Sequence, residues 1–101
     1  MNLTLRNDYG CTEAVIDENC GFDKFYGVAS LLTDKLNLNF TNKIDDSNTS
    51  YWDFNFNGHK LTLHYNIYNG VSILPVRSKG AIPEDNEAVK ALAKVLEDHL
   101  Q

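Results

Sequence analysis

The order of apolar and polar residues divides the chain into strand-like and helix-like stretches. Leu3 and Leu5 alternate with Asn2, Thr4 and Arg6, which predicts a short strand over residues 2–6. Asn7-Asp8-Tyr9-Gly10 reads as a turn. Residues 11–17 read as a second strand in which Val15 faces away from Ala14 and Ile16. From Phe22 the period changes: Phe22, Phe25, Tyr26, Ala29, Leu32 and Leu36 recur at helical spacing, which predicts a helix over 22–36 with one apolar face. Asp23 in its first turn and Lys35 in its last suit the helix dipole. Gly27 inside it costs about 1 kcal/mol relative to Ala, and close approach to a sheet is the simplest reason to expect for it.

Leu38, Phe40, Asn42 and Ile44 alternate as a third strand, and Asp45 to Ser50 form a polar loop. Residues 51–56 then place Trp52, Phe54 and Phe56 on one side, and residues 59–68 do the same for Leu61, Leu63, Tyr65 and Ile67. Between them Asn57-Gly58 is a two-residue hairpin turn, since both residues tolerate positive φ. That turn sets Phe54 opposite Leu61 and Trp52 opposite Leu63, so both apolar rows share one face. Asn69-Gly70 reads as a second turn of the same kind. It returns the chain as a strand over 71–76, with Leu74 opposite Tyr65 and with Val71 and Ile73 on the polar face. Pro75 donates no ladder hydrogen bond, which marks this strand as an edge. A last helix over 84–100 carries Ala88, Leu92, Val95, Leu96 and Leu100 as its stripe, with Glu84, Asp85 and Glu87 at its positive end. The expected fold is therefore α+β: an antiparallel sheet in ββαββββα order with two helices packed on one face. The pattern leaves the strand order open.

Composition narrows the function classes. At 101 residues the chain is expected to form a single domain over 1–101. Its net charge of −5 comes with basic residues scattered along the chain rather than gathered in a stripe. That argues against nucleic acid, whose binding needs convergent Lys and Arg, and suits either solubility or a basic protein partner. The start turns polar at once and no apolar run reaches membrane-spanning length, so a cytoplasmic protein without membrane insertion is expected. In that compartment Cys11 and Cys20 are expected to stay reduced.

The second face of the central hairpin gathers the candidate chemistry: Tyr51, Asp53, Thr62, His64, Asn66 and Tyr68, with Asn55 and Lys60. Tyr51 falls opposite His64, and Asp53 is diagonal to it. An Asp that orients a His is the centre of many acid–base sites, so a small hydrolase or isomerase using His64 and Asp53 is one reading. The other is a solvated or partner-binding sheet face, since Tyr, Asp and Asn on a flat sheet also suit a protein interface. No metal or cofactor is expected. His59 and His64 point to opposite faces, the cysteines lack metal spacing, and Arg77-Ser78-Lys79-Gly80 precedes a helix start already held by acids. A homodimer through the 71–76 strand is expected if its edge is open and Val71 and Ile73 lie wet beside Tyr68; the alternative is that a helix or the N-terminal strands wrap over that patch.

The runs Tyr51-Trp52-Asp53-Phe54, Leu61-Thr62-Leu63-His64-Tyr65-Asn66 and Gly70-Val71-Ser72-Ile73 resemble small bacterial proteins of unknown function. In size, acidity and element order the chain is also similar to immunity proteins of bacterial toxin systems. No catalytic residues carry over from either likeness. The acidic charge, the lack of a catalytic or cofactor motif and the Tyr, Asp and Asn of the sheet face lead to the expectation of a non-enzymatic, protein-binding domain, with the immunity or inhibitor type as what the second likeness implies.

Overall fold

A computed structural model describes residues 3–8, 10–77 and 81–100. The elements run β1 (Thr4–Asp8), β2 (Cys11–Asp17), α1 (Phe22–Asp34), β3 (Phe40–Asp45), β4 (Thr49–Phe56), β5 (His59–Asn66), β6 (Gly70–Pro75) and α2 (Pro83–Leu100). The strands form one antiparallel sheet in the order β1-β2-β6-β5-β4-β3. The α+β fold in ββαββββα order is thus the observed one.

The β4–β5 hairpin follows its turn. Asn57 and Gly58 take φ of 52° and 83°, and the ladder pairs Trp52 with Leu63 and Phe54 with Leu61. The row Phe54, Leu61, Leu63, Tyr65 then packs with Ala14, Ile16, Val71 and Ile73 beneath both helices. From α1 come Phe25, Val28, Ala29 and Leu32; from α2 come Ala88, Val89, Leu92, Ala93 and Leu96. Phe25 sits at the centre of an aromatic group, with its ring centroid 4.9 Å from Trp52 and 6.2 Å from Tyr65. Trp52 is half-buried because it lies toward the β3 edge, where Phe40 and the ammonium of Lys43 flank it.

The second hairpin differs from the sequence expectation. Asn69 N–H bonds the Asn66 carbonyl, and the loop is Ile67-Tyr68-Asn69 with Gly70 at φ 78° as the first residue of β6. A three-residue loop followed by a left-handed glycine shifts the register by an odd number of residues relative to a two-residue turn. Tyr65 therefore pairs with Val71, and Leu74 pairs with Thr62. Val71 and Ile73 turn under the helices, 0% and 1% exposed, rather than lying on the polar face. Nor is β6 an edge: β5 and β2 pair with its two sides, and Pro75 sits at its end. The two features on which the expected homodimer through the 71–76 strand rested, an open strand edge and wet Val71 and Ile73, are both absent.

Smaller differences have local causes. Strand pairing runs on through Asp45↔Ser50, so the polar loop shrinks to the tip at Asp46–Asn48. Tyr26 is 51% exposed and Val28 takes its place in the α1 core stripe. Gly27 lies on the exposed side of α1, and an added Cβ would meet nothing within 4 Å, so close approach to the sheet does not explain it. At the other end of the sheet Asn86 ties α2 to the β1–β2 turn. Its Oδ1 accepts from Thr12 N–H at 2.9 Å and its Nδ2 donates to the Gly10 carbonyl at 2.7 Å. The thiols of Cys11 and Cys20 each approach a backbone carbonyl, and no disulfide joins them. No helix among the described residues is long and apolar enough to cross a membrane.

Candidate functional site

Because both helices pack on one side, the opposite face of the sheet carries no helix. The ladders set its side chains in two rows. One runs Thr4, Val15, Ser72, His64, Tyr51, Ile44, from β1 across to β3. The adjacent row runs from Leu74 through Thr62 and Asp53 to Asn42. Toward the middle of the sheet the residues are small and buried: Val15, Ser72 and Thr62 are each 4% exposed. Toward β3 the face is open and apolar, with Tyr51 42% and Ile44 54% exposed.

His64 anchors the first row. Its ring stacks on Tyr51, with centroids 4.3 Å apart and planes at 18°. Its Nδ1 is 3.2 Å from the Ser50 carbonyl. A carbonyl only accepts, so the neutral ring carries its proton on Nδ1 and leaves Nε2 as the acceptor. Burial holds the His64 pKa below the usual histidine value, against the opposing pull of the Ser50 carbonyl and the Glu13 carboxylate. The folded-state pKa is thus below that of the unfolded chain. The stability tied to this group is complete above the unfolded value of about 6.5 and is lost as pH falls through the folded value. Lowering the pH from 7 to 5 is expected to lower the melting temperature, and His64→Gln is expected to shrink that drop. An identical drop in both proteins would show that His64 does not titrate against the fold.

The structure does not bring Asp53 to His64. The Asp53 carboxylate contacts Asn42 Nδ2 at 3.5 Å, and among the described residues it shares no hydrogen bond with the imidazole. Thr62, directly opposite Asp53, has a buried hydroxyl oxygen with no hydrogen-bond partner. Asn66 and Tyr68 sit at the margin rather than on the flat of the face. Asn66 Oδ1 accepts from Tyr68 N–H at 2.7 Å, which shapes the β5–β6 loop, and Tyr68 projects from that loop at 79% exposure. Of the six residues picked out in the sequence, four share the open face and two build its rim.

His59 faces the other way, as strand alternation requires, and its Nδ1 lies 2.9 Å from Asp85 Oδ1 in the first turn of α2. Sequence reading missed this pair, because no local pattern says which helix end comes to rest against the β4–β5 turn. It also missed Asp45, whose carboxylate accepts from Ser50 Oγ and Trp52 Nε1, each at 2.8 Å. Those two bonds hold the Asp45 pKa below the ordinary carboxylate value. No group of three or more metal-ligating side chains converges among the described residues.

A family model, Protein of unknown function (DUF3630), matches residues 5–97. The chain belongs to the DUF3630 family. The DUF3630 match runs from β1 to the last turns of α2 and takes in every residue of the open face from Glu13 to Leu74. No curated protein and no solved structure matches the chain.

Proposed function

We propose that this DUF3630 protein is a non-enzymatic, cytoplasmic protein-binding domain of the immunity or inhibitor kind, with the uncovered sheet face as its contact surface. The observation that supports this most is the row Ile44–Tyr51–His64, which leaves two large apolar side chains open on a sheet face that no helix covers. Tyr51 and His64 are stacked and thereby held in place, which lowers the entropy cost of docking against them. Asp53 and Asn42 supply polar contacts beside them, and Tyr68 and Asn66 border them. The net charge of −5 favours a basic partner by steering its approach, an effect that acts through the whole molecule and weakens with salt. The acid–base reading, a small hydrolase or isomerase, needs Asp53 to orient His64, and the Ser50 carbonyl takes that place.

The test is capture from the native host at low and raised salt, using wild type, Ile44→Asp and Tyr51→Glu. A stoichiometric partner is expected with wild type, weakened by salt and lost with either variant while each stays folded by circular dichroism, Tyr51→Glu giving up mainly the His64 stacking. No stoichiometric partner at any salt, or one held equally by all three proteins, would refute the proposal.

A further inference from the structure

The open sheet face is close to neutral: Glu13 stands opposite Arg6, and Asp53 has Lys60 nearby on the next strand. A basic partner steered in by the net charge has to find its carboxylates elsewhere. A cleft of about 430 Å³ lies where the β4–β5 turn meets the start of α2. Its walls include Phe56, His59, Pro83, Glu84, Glu87 and Ala91. We infer that this cleft receives an arginine side chain of a basic protein partner, an assignment that rests on the protein-binding reading above.

The chemistry of the walls selects the occupant. The half-buried Phe56, with Pro83 and Ala91, offers apolar surface suited to an aliphatic stem. The polar groups at its rim include the exposed carboxylates of Glu84 and Glu87, which only accept hydrogen bonds. His59 is engaged through its Nδ1 with the Asp85 carboxylate. An anion would be repelled, and a neutral apolar ligand would strip water from two carboxylates without replacing it. A cation on a long apolar stem satisfies both surfaces. Between the two basic side chains, a guanidinium is flat, stacks on an aromatic ring and forks onto a carboxylate, which an ammonium does not. Glu87 is engaged by Lys90 at 3.2 Å, but that pair is exposed on both sides and yields readily to a better-shaped donor. The cleft and the open face meet at the hairpin end, where Asn55 and Lys60 on one side adjoin Phe56 and His59 on the other. One partner folded around that end touches both.

The experiment is an NMR titration of the isotope-labelled full chain with acetyl-Gly-Arg-Gly-amide, alongside the uncharged citrulline analogue and the lysine analogue. Saturable shifts are expected at the amides of Glu87, Ala88 and Ala91 with the arginine peptide, and weaker ones with lysine. The double variant Glu84→Gln/Glu87→Gln is expected to bind about tenfold more weakly, the loss of two exposed charge contacts. Both residues are exposed, and unchanged shifts elsewhere would show that the fold is kept. Three results would each overturn the inference: no saturable shift, equal binding of citrulline or lysine, or undiminished binding by the double variant. The peptide assay needs no natural partner, so its failure is separable from failure of the open-face proposal.

Discussion

Gly70→Ala is expected to destabilise the protein by about 2–5 kcal/mol, the sum of left-handed backbone strain and overpacking. Gly70 opens β6 at φ 78°, pressed against the bulged stretch of β2. An added Cβ would fall on the Asp17 carbonyl and come within 2.8 Å of the Glu18 Cα. Both obstacles are backbone, so neither can swing aside. The only relief is to part β6 from β2, which opens the middle of the sheet. Two other glycines isolate the cause. Gly58 has a similar φ of 83° but open space around it, so Gly58→Ala should cost only the strain, about 1–2 kcal/mol. Gly27 has ordinary helical geometry and open space, so Gly27→Ala should stabilise by up to about 1 kcal/mol. Urea midpoints of the three variants give the comparison. A Gly70→Ala loss no larger than that of Gly58→Ala would mean the close approach to Asp17 carries no energy.

Phe54→Ala should cost about 3–5 kcal/mol, a large part of a total stability of roughly 5–15 kcal/mol. Phe54 is 1% exposed, pairs with Leu61 and meets the Phe40 ring edge-on at 5.9 Å. Its removal leaves a cavity that the rigid sheet cannot collapse to fill. Tyr51→Ala, on the uncovered face, gives up mainly the His64 stacking, about 0.5–1.5 kcal/mol. Chemical denaturation of both variants reads this difference directly. Equal losses would mean that the two faces of β4 are buried alike.

The same contrast shows which parts of the fold were legible in the sequence. The β4–β5 hairpin was legible in register, because Asn57-Gly58 and the alternation on both strands agree, although the strand expected over 59–68 ends at Asn66 and leaves Ile67 exposed. The β5–β6 connection was not. Asn69-Gly70 carries the same residue types, but Asn66 Oδ1 captures the Tyr68 N–H and starts the turn earlier, leaving only Gly70 left-handed. That shift moved Val71 and Ile73 from one face to the other, and the expected edge was lost separately, because β2 pairs with the other side of β6. The candidate site was legible as a face and not as a catalytic constellation. Alternation places Tyr51, Asp53, Thr62 and His64 together, whereas which neighbour His64 bonds depends on ångström-level placement of the Ser50 carbonyl. The cleft joins Phe56 and His59 to Glu84 and Glu87, which are distant in sequence, so nothing local announces it.

The strand order has a consequence for how the chain is made. The β3–β4–β5–β6 meander closes through short loops between sequence neighbours, so it can form early and locally. The β1–β2 hairpin leaves the ribosome before the meander, yet the ladder that anchors it pairs Ala14 with Ile73 near the far end of the meander. Until β6 has been synthesised, the inner edge of β2 has no strand to join, and its buried residues Ala14 and Ile16 have no core to enter. Between the synthesis of β2 and that of β6 the nascent chain therefore carries a hairpin whose inner edge is unpaired. Such an edge invites wrong pairings between neighbouring chains on a polysome. The seam between β2 and β6 that Gly70 makes possible is the step that ends this exposure.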